Sequence, residues 1–109
     1  MAREQFQTLT EPMYYVLLAL ARECCGVDVM GKVKAISAGR ITIGPGTLYA
    51  LLPKLEENGM IRQTRQEGRQ KWYVIAEKGR QMLTQEQERL RQMLEDAECA
   101  ETPEQGVSG

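Results

Sequence analysis

The sequence predicts a mainly α fold with one small β-hairpin and a long helix at its C-terminal end. Apolar residues recur at helical spacing in four separate stretches. Between the third and the fourth lie "MIRQTR" and "KWYVIA", strand-like runs joined by the polar, glycine-containing "QEGRQ". At 109 residues the chain suits one domain with a modest core.

Taken in order, "FQTL" places Phe6 and Leu9 ahead of the first helix. Thr10 is a fitting N-cap, and Glu11 and Pro12 fall in the first turn, where a missing N–H costs little. Met13, Val16, Leu17, Leu20 and Ala21 then share a wide face, and the pattern extends to about Gly26. A second helix is expected over about residues 27–37, with Val29, Met30, Val33 and Ile36 as its stripe and Gly39 just past its end. "RITI", residues 40–43, reads as one small strand. In "GPGTLYALLPKLEENG", Gly44 serves as N-cap and Pro45 as first helical residue, and Leu48, Leu51, Leu52 and Leu55 fall on one face. Gly59 closes that helix. Pro53 lacks the N–H that would bond the Tyr49 carbonyl and crowds the same carbonyl, which predicts a slight bend. In the second strand Tyr73 and Ile75 face one way, Trp72 and Val74 the other. The last helix sets Leu83, Leu90 and Ala97 seven residues apart with Met93 and Leu94 beside them, a seam suited to another helix, although Glu86 and Gln87 interrupt it. Residues 101–109, "ETPEQGVSG", have little to bury and are expected to be disordered.

Three helices followed by a hairpin is the order of a winged helix-turn-helix. That domain would occupy residues 1–76, with residues 77–100 as a dimerisation helix. In such a domain the third helix enters the DNA major groove and the hairpin, the wing, lies against the backbone. The charge pattern agrees. The formal net charge of −1 hides a basic middle, where residues 29–75 carry eight bases against three acids, and an acidic end, where residues 80–109 carry three bases against seven acids. On the third helix the leucines turn inward, leaving Thr47, Tyr49, Ala50, Pro53, Lys54 and Glu57 outward. Thr47 and Ala50 are small enough for close approach to base edges, Tyr49 suits a phosphate or a sugar, and Lys54 a phosphate. Arg65, Arg69 and Lys71 cluster on the hairpin, where they can neutralise phosphates.

Other functions find less support. The chain is 42% apolar and 27% charged, as ordinary globular proteins are. No apolar run reaches the ~18–20 residues of a membrane span. "MYYVLLALA" lacks the basic flank of a signal peptide, so a cytoplasmic protein with no membrane partner is expected. There is no histidine, and Cys24, Cys25 and Cys99 form no CxxC, so neither a metal site, nor a cofactor, nor histidine-assisted catalysis is expected. "GPGT" lacks the lysine that a Walker loop needs before Thr47. Two alternatives use the same fold. One is a winged-helix protein-interaction module without DNA binding. The other is a thiol-based redox regulator, although Cys24 and Cys25 sit near a helix end with only Arg22 as a close cation.

Over residues 9–97 the motifs together resemble the PadR-like transcriptional regulators, in particular the short forms with one C-terminal helix. "YYVLLAL" is similar to that family's first helix, "GVDVMGKV" to its second, "GPGTLYALLPKLEENGMI" to its recognition segment, and "EGRQKWYVIAEKGR" to its wing and the entry to the last helix. The resemblance implies a homodimeric repressor that binds a palindromic double-stranded operator and responds to a small hydrophobic or phenolic effector. It places DNA contacts on Pro45, Gly46, Thr47, Tyr49, Lys54, Arg69 and Lys71. It implies a dimer formed by the last helix with help from the N-terminal one, through Phe6, Leu83, Leu90, Met93, Leu94 and Ala97. The chain departs from the family at Pro53, at Ala76, where a capping threonine is usual, and in lacking a tryptophan in the last helix.

Overall fold

The computed structural model describes residues 9–101. Thr10 starts the fold as expected, its side chain accepting the Met13 N–H at 3.3 Å to cap helix α1 (Glu11–Ala19). A two-residue strand β1 (Cys24–Cys25) leads into α2 (Gly26–Ile36), and a loop leads to α3 (Pro45–Glu57). The hairpin of β2 (Ile61–Glu67) and β3 (Gln70–Ile75) follows, then α4 (Glu77–Ala100). The fold is mainly helical with a small antiparallel sheet, as the sequence predicts. Phe6 and the tail beyond Glu101 lie outside the described residues.

Two sequence-based expectations fail in the loops. The first helix was expected to reach Gly26, but it stops at Ala19. The Leu20 carbonyl accepts the Ile75 N–H at 2.7 Å, and the chain then extends so that Cys24 pairs with Tyr73 and Cys25 with Trp72. The third strand of the sheet is therefore β1, in the order β1-β3-β2. The second expectation, a strand at "RITI", is also overturned: residues 41–44 form no strand. The buried Ser37 takes up the backbone there instead, because its Oγ accepts the Ile41 N–H at 2.9 Å and lies 3.3 Å from the Lys34 and Ile41 carbonyls, either of which its hydroxyl can reach. Local capture of this kind competes with pairing in a sheet. Just before it, Ala38 adopts φ 55° in the turn that ends α2, with the expected glycine, Gly39, one place later at φ 81°.

The core is built from Val16 and Leu17 of α1 and Leu20 just past its end, Val29 and Val33 of α2, and Leu48, Leu52 and Leu55 of α3, closed by Met60, Ile61 and Ile75. Helix α3 continues through Pro53 and ends as "ENG" suggests. Gly59 takes φ 75°, its N–H donates to Glu56 O and that of Met60 to Leu55 O, both at 3.0 Å. The Met60 carbonyl then accepts the Ala76 N–H at 2.8 Å. Against this same carbonyl sits Gly79, in the first turn of α4. A Cβ built on Gly79 would stand 2.3 Å from Met60 O and 2.8 Å from Ile75 Cγ1. Only a residue without a side chain lets α4 approach so closely. Ala76 precedes α4 as its N-cap with no side-chain cap bond, consistent with the absent threonine.

The hairpin is tighter than its five-residue linker suggests. Glu67 pairs with Gln70, leaving a two-residue turn in which Gly68 alone has positive φ, the pattern of a type II′ turn. A bulge at Thr64 shifts the register, so that Gln63 pairs with Tyr73 but Arg65 with Trp72.

Among the described residues, helix α4 is buried only along its first half. Gly79, Leu83 and Glu86 are buried, whereas residues 88–100 are exposed throughout. The projecting helix draws the molecule out to 64 × 37 × 22 Å. Glu86, the residue that interrupts the apolar seam, is 5% exposed. Its carboxylate accepts the Leu9 N–H at 3.4 Å and pairs with Arg89, so it ties the segment ahead of α1 to α4. The hydrogen-bonded Arg89 holds the Glu86 carboxyl below its ordinary value of 4.5 against the opposing effect of burial, and the Leu9 N–H adds to this.

Two experiments test this scaffold. Gly79→Ala is expected to lower unfolding stability by about 1–3 kcal/mol through overpacking, whereas Gly31→Ala, in open space on α2, should raise it by about 0.5–1 kcal/mol; urea unfolding of both variants checks the contrast. Because the folded-state pKa of Glu86 is depressed, its stabilisation is present above the unfolded value of 4.5 and is lost as pH falls through the lower folded value. The melting-temperature gap between wild type and Glu86→Gln should therefore be widest near neutral pH and close on acidification; a gap independent of pH would contradict the assignment.

Candidate nucleic-acid interface

The outward face of α3 begins at its start. Gly44 is the N-cap without a side-chain bond, Pro45 opens the helix, and Pro45, Gly46 and Thr47 are all exposed. Leu48, Leu52 and Leu55 turn into the core and leave Tyr49, Ala50, Pro53 and Lys54 on the surface, as their spacing requires. Tyr49 is 49% exposed, unusual for so large an apolar ring. The part of it that is covered reaches back to α2: a Cβ on Gly26 would lie 3.8 Å from Tyr49 Cε1 and 3.7 Å from the Lys71 carbonyl. The starts of α2 and α3 and the second strand of the wing therefore converge on one surface.

The three wing cations differ in their commitments. The Arg65 guanidinium lies 4.0 Å from the centre of the Trp72 ring and pairs with Glu67 at 3.1 Å. Arg65 is thus engaged within the hairpin, made possible by the bulge that sets it opposite Trp72. Arg69 stands in the turn and Lys71 on β3; both are exposed, and neither has a carboxylate within ion-pair distance among the described residues, nor does Lys54. The expected DNA-facing set therefore falls into Pro45, Gly46, Thr47, Tyr49, Ala50 and Lys54 along α3 and a free pair, Arg69 and Lys71, beside it, with Arg65 turned to a structural contact.

The expected dimer residues also divide. Leu83 is 8% exposed and already belongs to the core of its own chain. Leu90, Met93 and Leu94 are 42%, 52% and 60% exposed on the projecting half of α4, and Ala97 is exposed with them.

The Cys24 thiol is not activated. Cys24 and Cys25 are buried in β1, and burial pushes the Cys24 thiol up, away from thiolate character; Cys99 is exposed near the end of α4. Among the described residues no group of three or more potential ligands is gathered to hold a metal, and no helix is long and apolar enough to cross a membrane.

The profile of the transcriptional regulator PadR-like family matches residues 16–85, more than half of the chain. The chain belongs to the PadR-like family. A search of curated proteins found no match. Among solved structures, the chain is similar to a transcriptional regulator from Clostridium thermocellum, at 20% identity over 81% of this chain and 89% of that one, with a TM-score of 0.67. A PadR-like transcription factor from Bacteroides fragilis matches at 23% identity over 80% and 86%, with a TM-score of 0.68. Bacillus subtilis PadR in complex with operator DNA matches at 26% identity over 72% of this chain and 47% of that one, with a TM-score of 0.56.

In this PadR-like chain, Gly79 and Glu86 fix α4 and Tyr73 pairs with both Cys24 and Gln63, yet none of the three was singled out by sequence. Gly79 was visible only as part of "EKGR", Glu86 only as a flaw in a heptad, and Tyr73 only as a strand residue on the same face as Ile75. A polar residue at an apolar position was the one available signal, and at Glu86 it marked a long-range contact.

The division among the cations is testable by the emission of the chain's single tryptophan. Arg65→Ala should cost about 0.5–1 kcal/mol and alter Trp72 emission in the folded state. Arg69→Ala and Lys71→Ala should each leave urea stability within about 0.5 kcal/mol.

Proposed function

We propose that the protein is a homodimeric, sequence-specific DNA-binding repressor of the cytoplasm, released from its operator by a small hydrophobic or phenolic effector. The observation that carries this reading is the exposed strip of Thr47, Tyr49, Ala50 and Lys54 on α3, flanked by Arg69 and Lys71, which lack acidic partners among the described residues. The similarity to a PadR solved on operator DNA supports it.

In this mechanism the start of α3 enters the major groove. Thr47 and Ala50 approach base edges, where a methyl group or a small side chain can meet thymine. Tyr49, Lys54 and the α3 N-terminus bind backbone oxygens, the last because its first N–H groups have no partner within the helix. Arg69 and Lys71 hold a neighbouring phosphate each and contribute affinity without sequence preference. Leu90, Met93, Leu94 and Ala97 of two chains bury one another, setting the separation of the two α3 helices. An effector acts by changing that separation. The acidic outer half of α4 faces away from DNA, in keeping with its charge.

Footprinting on DNA upstream of the protein's own and neighbouring genes, at stated salt, is expected to reveal a palindrome with half-sites about one helical turn, or a multiple of it, apart. Lys71→Ala and Arg69→Ala should each reduce the slope of log affinity against log salt by about one, and Arg65→Ala should leave it unchanged. Absence of any protected palindrome, with unaltered slopes, would favour a protein-interaction module instead. Protection that no tested compound alters would leave a repressor without an effector.

A further inference from the structure

A cleft of about 320 Å³ opens between α3, the start of α2 and the second strand of the wing. Tyr49 lines it from α3, Gly26 and Val27 from the first turn of α2, and Arg69 and Lys71 from the wing. Tyr73 lines it too, yet is only 7% exposed. The Tyr73 hydroxyl has no hydrogen-bond partner among the described residues, whereas buried polar groups are ordinarily paired. Burial pushes its pKa up, with Glu56 and Tyr49 adding to the effect, so the hydroxyl keeps its proton and is a ready donor. A second set of donors stands beside it. The first N–H groups of α2, an 11-residue helix, have no partner within the helix, and no side chain caps them among the described residues. Asp28, the acid of that turn, does not line the cleft.

We propose that this cleft seats one sugar–phosphate unit of DNA, with the Tyr73 hydroxyl as a buried, uncharged donor to its phosphate. The inference rests on the proposed function and adds to it a contact beneath the exposed strip. Its geometry follows from the duplex. Only a sugar–phosphate strand separates the major groove from the minor one, so a helix in the first and a wing beyond its edge must let that strand pass between them. The cleft is the gap between α3 and β3 through which it would pass. Arg69 and Lys71, which no carboxylate neutralises among the described residues, attract the strand by charge. Long, exposed cationic side chains attract without fixing a position. Tyr73 fixes one, because its ring belongs to the core and its strand is paired on both sides. A hydrogen bond to an ionised oxygen is also stronger than one to a neutral acceptor. Gly26 keeps the opening clear: a Cβ there would stand 3.8 Å from Tyr49 Cε1 and 3.7 Å from the Lys71 carbonyl, in the space between them. By choosing the phosphate, Tyr73 sets the register of α3 on the bases without touching a base.

Fluorescence anisotropy of a labelled duplex, selected by the full wild-type chain from a random library, tests the seat. An unpaired buried hydroxyl costs the free chain stability, and DNA would relieve that cost. Tyr73→Phe should therefore keep or raise the melting temperature while weakening duplex binding about tenfold. Because the lost donor is uncharged, the line of log affinity against log salt should drop without changing slope, unlike that of Lys71→Ala. The partner atom is identified by duplexes that each carry one methylphosphonate, in which a methyl replaces a charged phosphate oxygen. At one position in each half-site wild type and Tyr73→Phe should bind equally, and at every other position the tenfold gap should persist. Gly26→Ala, whose new methyl meets only ordinary contacts, should weaken binding while preserving the melting temperature. Equal binding of the unmodified duplex by wild type and Tyr73→Phe, a gap that survives every methylphosphonate, or a lowered melting temperature for Tyr73→Phe would overturn the seat and leave the DNA-binding reading standing. A chain that selects no duplex would overturn both.

Discussion

The backbone of Met60 is where the structure is joined. Its N–H completes the turn that ends α3, and its carbonyl receives Ala76 as α4 begins. The side chain is fully buried beneath them. Gly79 packs on the same carbonyl with no room for a methyl group. Helix α3, the wing and the projecting helix therefore meet at one residue, and their relative directions are set there. Packing this dense transmits displacement instead of absorbing it. A shift of α4 by a fraction of an ångström has to move the end of α3 or the base of the wing.

Glu86 supplies a second fixing point. It secures the chain ahead of α1 to the third turn of α4, on the side away from Met60's junction in sequence but on the same helix. Two anchors, one made by absence of a side chain and one by a buried charge, hold the first half of α4 stiffly. Over the remainder Leu90, Met93 and Leu94 are exposed and stand clear of the core of the described residues. The helix is thus half scaffold and half surface, and Leu83 lies on the scaffold side of that boundary.

Much of the fold was legible because its punctuation is local. Thr10 caps α1, Gly44 and Pro45 open α3, and Gly59 closes it, each through its own backbone preference. The outward residues of α3 were legible for the same reason, since helical spacing alone decides which side the leucines take. What could not be read depended on partners distant in the chain. The end of α1 and the existence of β1 follow from Ile75 and the register with Tyr73 and Trp72. The short β-branched "RITI" was a strand by composition, but Ser37 held its backbone first. Arg65 looked like one cation among three until the pairing of β2 with β3 placed it over Trp72.

The bulge at Thr64 reaches further than a local irregularity. Counting an unbroken ladder outward from Gln63 and Tyr73 would set Thr64 against Trp72 and Arg65 against Lys71. Two like charges directly across a strand pair repel, and the wing would be pressed to splay toward its tip. One extra residue shifts the phase instead: Gln66 takes the place opposite Lys71, and Arg65 moves to an aromatic face. The bulge therefore sorts the positive charge of the hairpin by face, keeping one cation for the hairpin's own cohesion and releasing another toward the groove beside α3. Restoring perfect strand geometry would leave every basic residue in the chain and still abolish that division of labour.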